Sequence, residues 1–283
     1  MRGRVCFIVG VLVFGLSIAG FVLTPTSSVR PAAVDGPAVV RRTTERRVAL
    51  RAVPAPPDAT VAAPVRDELV DPGPSPWQRY AGELAGSSFA VAHARGPSLP
   101  VSVSMGEPAI AALSNPTRVG APRVALVVAE IGDWLQVLLP LRPNNSLGWV
   151  RRSDVDVTYT SMRVEIDRAT RRLRVFDSGA VVMDEPVAIG RAVTPTPGGQ
   201  FFTTELLQPP NPGGAYGPYA FTLSAYSTVY QRFGSGDGAV GLHGTNAPGS
   251  LGATVSHGCV RLSNDAISRL AMMLPLGTPV LIR

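Results

Sequence analysis

The sequence contains no lysine: all 26 basic residues are arginine, set against 20 acidic ones for a formal net charge of +6 and a pI of about 10.0. A basic balance favours anionic partners. Arginine throughout, beside abundant Ala, Val, Gly and Pro, reads instead as the codon bias of a GC-rich genome. No dense basic cluster is interleaved with aromatics and no nucleic-acid motif occurs, so no nucleic-acid partner is expected. Charged residues are scarce at 16% while hydrophobic residues reach 45%, enough to build real cores. The 283 residues suit two modest domains plus connectors.

Cysteine is scarcer still, with only Cys6 and Cys259. Cys6 lies in an apolar run from Val5 to Leu23, behind Arg2 and Arg4. That run has about the length of a helix that crosses a bilayer, and positive charge ahead of it directs the following chain outward. Residues 1–23 are therefore read as an N-terminal membrane helix. A cleaved signal peptide is the alternative, because Ser17-Ile18-Ala19 resembles a small-x-small cleavage site. Both readings place the rest of the chain outside the cytoplasm. Cys259 is then a solitary exported thiol, whereas structural disulfides need an even set. Such a thiol is either buried and inert or kept for chemistry.

Residues 24–76 lack Phe, Trp and Tyr and hold ten prolines. This stretch cannot bury enough apolar area to offset its ordering entropy, and it reads as an extended Pro/Ala-rich linker. Residues 77–98 are ambiguous, either a short lead-in helix or irregular chain. Beyond them short strands with turn punctuation are expected: Val101 and Val103 alternate, Val124–Val128 is a compact apolar run, and Trp134–Leu139 is strand-like. Pro143-Asn144-Asn145 turns the chain into Gly148-Trp149-Val150. A Trp-containing strand, a turn and Gly-Trp-Val resemble a bacterial SH3-like module, which implies a small β-barrel over residues 77–158. Trp134 and Trp149 are expected to be core.

A second β-rich unit begins near Met162. Val164 and Ile166 alternate with charged residues, Leu173 and Val175 repeat the pattern, and Asp177-Ser178-Gly179 turns into a further strand. Ser263 or Asn264 can cap a helix. Ile267, Leu270, Ala271 and Leu274 then form one apolar stripe. Val280-Leu281-Ile282 closes as a strand.

Two of the three histidines and Cys259 sit within 17 residues, among glycines that let backbone N–H groups approach a ligand. The stretch runs from Gly241-Leu242-His243-Gly244-Thr245-Asn246 to Ser256-His257-Gly258-Cys259-Val260-Arg261-Leu262. A thiol beside an imidazole is the usual requirement for nucleophilic cysteine catalysis. Zinc is a competing reading, but His257 and Cys259 are only two residues apart and no fourth ligand offers itself. An inert structural cluster is the other alternative.

These two blocks resemble the signature of the YkuD-type L,D-transpeptidase family. Thr194-Pro195-Thr196-Pro197-Gly198-Gly199-Gln200-Phe201 is similar to a second recurrent stretch of that family. The resemblance implies a mainly β fold for residues 159–283, a β-sandwich with a C-terminal helix. It implies Cys259 as nucleophile and His243 as its general base. The Gly244 carbonyl would orient the His243 ring, and His257 would shape the cleft or assist the leaving amine. The N–H groups of Gly258 and Cys259 would form an oxyanion hole. Among substrate-contact candidates, Arg261 would hold a carboxylate or brace the loop, and Ser256 would brace it. Thr245 is a further candidate. Tyr216 and Tyr230 could wall the cleft, although core packing is the plainer expectation for both.

The implied substrates are peptidoglycan stem peptides, a tetrapeptide donor and an amine acceptor, joined in a 3→3 cross-link through a Cys259 thioester. No cofactor and no metal are implied, and carbapenem-type β-lactams would acylate the same thiol. Water or a protein as acceptor would make the chain an L,D-carboxypeptidase or a protein-to-wall ligase. A non-catalytic wall-binding protein is the alternative from another class.

Overall fold

The computed structural model describes residues 88–234 and 236–283, which all belong to one compact unit, Asp67–Arg283. The expected membrane helix or signal peptide (1–23), the linker (24–76) and the lead-in up to residue 87 lie outside the described residues. Among the described residues no helix is long and apolar enough to cross a membrane.

The first module is built from seven strands: β1 (Phe89–Ala94), β2 (Ser98–Val101), β3 (Ala111–Ser114), β4 (Val124–Ile131), β5 (Trp134–Leu138), β6 (Leu147–Arg151) and β7 (Val155–Thr160). Five of them form a sheet in the order β6-β5-β4-β1-β7, and β2 pairs with β3. The strand β1 corrects the ambiguous reading of this region. Its alanines have little β preference of their own, but the segment pairs with β4 on one side and β7 on the other. Tertiary pairing decides its conformation.

The compact apolar run in β4 also has a physical explanation. Ala125 and Val127 face the module's own core, with Leu135, Val137 and Val150. Val124 and Leu126 face the other way and pack with Phe89, Val91, Leu138 and Phe202. A strand buried on both faces loses the polar half of its alternation. Trp134 and Trp149 were expected in the core, and the structure corrects this. The same alternation that turns Leu135 and Val150 inward turns both tryptophans outward, where each is half-buried. The Arg151 guanidinium lies 4.4 Å from the Trp134 ring centroid.

The second module contains β8 (Met162–Asp167), β9 (Arg172–Asp177), β10 (Ala180–Pro186), β11 (Ile189–Gly190), β12 (Gly199–Leu207), β13 (Ala220–Tyr226), β14 (Ala239–His243), β15 (Thr254–Ser256), β16 (Val260–Arg261), the helix α1 (Asn264–Met273) and β17 (Pro279–Ile282). The expected sandwich is made from a single curled sheet, in the order β10-β9-β8-β17-β12-β13-β14-β16. Strand β12 is shared by its two halves, pairing with β17 through residues 199–202 and with β13 through residues 203–207. Its register shifts between Thr203 and Glu205, the kind of irregularity that bends a sheet. One core results, in which Val164, Leu173 and Val280 meet Phe221, Leu242 and Ile267 of the other half and the helix. Helix α1 starts at Ser263, whose Oγ accepts from the Ala266 N–H.

Phe202 joins the two modules by packing among the outer-face residues of β1 and β4. A Cβ on Gly277, whose φ is +89°, would lie 2.2 Å from a Val91 methyl, so this contact needs glycine twice over, for space and for conformation.

Candidate active site

Strand β14 ends at His243, and β16 lies parallel beside it with Leu242 opposite Val260 and His243 opposite Arg261. Cys259 immediately precedes β16. The parallel register therefore sets Cys259 level with Gly241, two residues before His243 on the adjacent strand. Both side chains line one small cleft of about 190 Å³, together with Tyr216, Tyr230, His257 and Arg261. Both also line a groove of about 970 Å³ that extends over β12–β14 to the first module.

The His243 side chain is buried, with 5% of its surface exposed. Its Nδ1 lies 2.6 Å from the Gly244 carbonyl oxygen. A carbonyl only accepts, so Nδ1 carries the proton and the lone pair lies on Nε2. Burial lowers the His243 pKa to about 4; the Gly244 carbonyl works against this and the nearby Arg261 charge adds to it. The imidazole is neutral at pH 7, as a base must be. Gly244 itself leaves no room for a side chain: a Cβ there would sit 2.3 Å from Asn264 Oδ1 and 2.9 Å from the Gly217 Cα. Asn264 Oδ1 also accepts from the Thr245 N–H at 2.9 Å.

Cys259 is half-buried. Burial raises its thiol pKa, opposed by a hydrogen bond from the Gly241 backbone and by the Arg261 charge. Thiol and imidazole are thus displaced in opposite senses, and both rest in their neutral forms near pH 7. Among the described residues no hydrogen bond joins them directly. The Nε of Arg261 is buried without a hydrogen-bond partner, and its side chain lines the small cleft.

The loop that carries the thiol is held from within and from outside. Ser256 Oγ donates to the Cys259 carbonyl at 2.5 Å and accepts from the Gly258 N–H at 3.1 Å. This corrects the oxyanion assignment: the Gly258 N–H is committed to Ser256, and of the two donors expected there the Cys259 N–H remains. It also makes Ser256, which is 1% exposed, a brace of this loop at the wall of the small cleft. Gly258 has φ of +124°, a conformation that L side chains rarely adopt. From outside, Thr196 Oγ1 donates to the Gly258 carbonyl at 2.8 Å and accepts from the Gly190 N–H at 2.9 Å. Thr194 Oγ1 donates to the Ser256 carbonyl at 3.3 Å. Both threonines lie in the second family-like stretch of the sequence, where neither was given a role. Their signal was the Thr-Pro-Thr-Pro pattern, in which short hydroxyl side chains alternate with residues that have no N–H of their own.

Three further expectations change. Thr245 is buried, and its Oγ1 accepts from the Ala247 N–H at 3.1 Å, so it shapes a turn and does not line the cleft. Tyr216 is 46% exposed, with its ring centroid 4.7 Å from that of His243. Tyr230 stands 6.3 Å from the exposed His257 ring, and Phe233 stands 5.5 Å from it. Both tyrosines are cleft walls and not core, because β13 and β14 already fill the interior with Phe221 and Leu242.

The wall carrying Tyr230 is tied to the first module. Arg142 donates to the carbonyls of Ser227 at 2.7 Å and of Tyr230 and Asp237 at 3.0 Å each. Asn144 exchanges hydrogen bonds of 2.9 and 2.8 Å with the backbone of Tyr226, and the Tyr226 hydroxyl donates to the Pro140 carbonyl. The turn read in the sequence as Pro143-Asn144-Asn145 is therefore also a clamp.

Among the described residues Cys259 is the one free thiol, and it shares a cleft with a neutral, carbonyl-oriented histidine. Residues 161–282 match the YkuD family model, the L,D-transpeptidase catalytic domain. YqjB of Bacillus subtilis is 32% identical over 126 residues, which are 42% of this chain and 69% of that protein. YkuD of Bacillus licheniformis is 37% identical over 118 residues, 42% of this chain and 63% of that protein. The chain thus spans a little under two thirds of the length of its YkuD relatives, 63% and 64%. An L,D-transpeptidase from Mycobacterium smegmatis aligns over 65% of this chain and 99% of its own, with 16% identity and a TM-score of 0.38. The chain belongs to the YkuD L,D-transpeptidase family.

Proposed function

We propose that this chain is a peptidoglycan L,D-transpeptidase that forms 3→3 cross-links through a thioester on Cys259. The observation that carries this reading is the His243 imidazole, oriented by the Gly244 carbonyl and opening, like Cys259, on one cleft. Family membership supports the substrate class.

In the first step the Sγ–H proton passes to His243 Nε2 as Sγ bonds to the carbonyl carbon before the terminal D-Ala of a tetrapeptide stem. The Cys259 N–H stabilises the oxyanion. The imidazolium, a strong acid in its buried site, returns the proton to the nitrogen of D-Ala as the C–N bond breaks. In the second step an acceptor amine attacks the thioester, His243 Nε2 takes its proton, and Sγ leaves and is reprotonated. The Nδ1–H bond to Gly244 holds the tautomer throughout. His257 lies beside the entering and leaving amines, and Arg261 holds a carboxylate of the substrate. Residues 1–23 hold the chain at the membrane with its folded part facing the wall.

The test is turnover of a defined disaccharide tetrapeptide by wild type and Cys259→Ala. A 3→3 dimer with loss of D-Ala, absent in the variant, is expected. Tripeptide product without dimer would replace transpeptidation by L,D-carboxypeptidase activity. Mass spectrometry with a carbapenem should give an adduct on Cys259; an adduct that survives Cys259→Ala would overturn the nucleophile assignment.

A further inference from the structure

The large groove that opens on Cys259 is not made by the catalytic module alone. Leu113, Arg118 and Arg123 of the first module line it, facing Glu205 and Tyr226 of the second. Arg123 is the unusual member. It is only partly exposed, and its Nε donates to the Ser114 carbonyl at 3.0 Å. Among the described residues it forms no ion pair within 4.0 Å. Burial lowers its pKa, and the Glu205 and Tyr226 groups near it work the other way. The Arg123 guanidinium and the Glu205 carboxylate thus stand near one another on the groove lining without a direct ion pair. Glu205, across the groove, is likewise in no ion pair among the described residues.

The sheet register sets how far this pair stands from the chemistry. Gly241, whose backbone touches the Cys259 thiol, lies opposite Thr222, and Thr222 lies opposite Glu205. Two strand spacings of about 4.8 Å put Glu205 roughly 10 Å from Gly241 across the sheet. An extended peptide covers that distance in about three residues, at roughly 3.3 Å each. A long side chain on the reacting residue covers most of it too.

We propose that Arg123 and Glu205 form a subsite for a charged amino-acid head on the substrate peptide, with Arg123 binding its carboxylate and Glu205 its ammonium group. The first module is then part of the substrate groove, and the pair selects peptides that carry both charges over those that carry an amine alone. This rests on the peptide substrate proposed above and extends it to a segment outside the family domain.

The test is calorimetric binding to the full chain carrying Cys259→Ala, which needs no turnover. Two tetrapeptide probes are compared, one whose third residue ends in a free amino-acid head and one with that head carboxyl as carboxamide. Adding Arg123→Gln should weaken the free-acid probe about tenfold, the range for a charged hydrogen bond. The carboxamide probe should change less than about twofold, which also certifies the fold. Glu205→Gln should weaken the free-amine probe and leave its N-acetylated form unchanged. Equal losses on acid and amide, no loss on either, or no binding by the Cys259→Ala parent would overturn the subsite. If Arg123-dependent binding is found but wild type never forms a thioester, the transpeptidase reading fails and the subsite stands.

Discussion

Thr196 Oγ1 donates to the carbonyl of Gly258 across a 62-residue separation, while it accepts from the Gly190 N–H. One side chain, 1% exposed, thereby satisfies two buried backbone groups and fixes the residue before the thiol. Thr196→Val keeps the shape and leaves both groups unpaired. The expected loss is about 2–6 kcal/mol of stability, from roughly 1–3 kcal/mol for each of the two orphaned groups. Chemical denaturation checks this, and a stability within about 0.5 kcal/mol of wild type would refute it.

The pH dependence of stability follows from His243. Its folded pKa of about 4 lies below the ordinary 6.5. Between these values the unfolded chain binds more protons than the folded one, so stability rises with pH there. The contribution is complete above 6.5 and is lost as pH falls through about 4. Its size is on the order of 3 kcal/mol. Urea titrations at several pH values, compared with His243→Gln, should show this slope in wild type and its absence in the variant.

Cys259 titrates above the ordinary thiol value of 9.0. Alkylation of the free protein by iodoacetamide should therefore accelerate with pH through 9 and show no plateau near neutrality. A plateau there would mean a preformed thiolate–imidazolium pair, and the general-base role given to His243 would have to be abandoned.

Arg142→Ala removes three hydrogen bonds to the loop that bears Tyr230. Amide exchange in residues 227–238 should quicken, and overall stability should drop by about 2–3 kcal/mol. Acylation by peptide should slow while iodoacetamide alkylation keeps its wild-type rate, since the small reagent needs no cleft wall. Equal effects on the two reactions would mean that the clamp acts on the thiol itself.

The helix and its cap, the meander after Met162 and the closing strand were legible because each is a local matter. The stripe at Ile267, Leu270, Ala271 and Leu274 has one period and one reading, and so does the alternation of Val164 and Ile166. The segment Phe89–Ala94 was not legible, because its alanines carry no preference and the strand exists only through β4 and β7. The tryptophans were misplaced because size argues for burial, whereas register decides which face a residue takes.

At the site, residue chemistry alone selected Cys259 as a lone thiol with two nearby histidines, and it went no further than that pairing. Only the tertiary structure decided which backbone groups are free. A hydrogen bond commits its donor, and the commitment of the Gly258 N–H to Ser256 depends on how residues 256–259 curl. Tertiary structure also decided that Arg123 and Arg142, well over a hundred residues before the thiol, belong to its surroundings. No local pattern encodes such proximity, because it arises from the packing of two separately patterned modules through Phe202 and the Arg142 clamp.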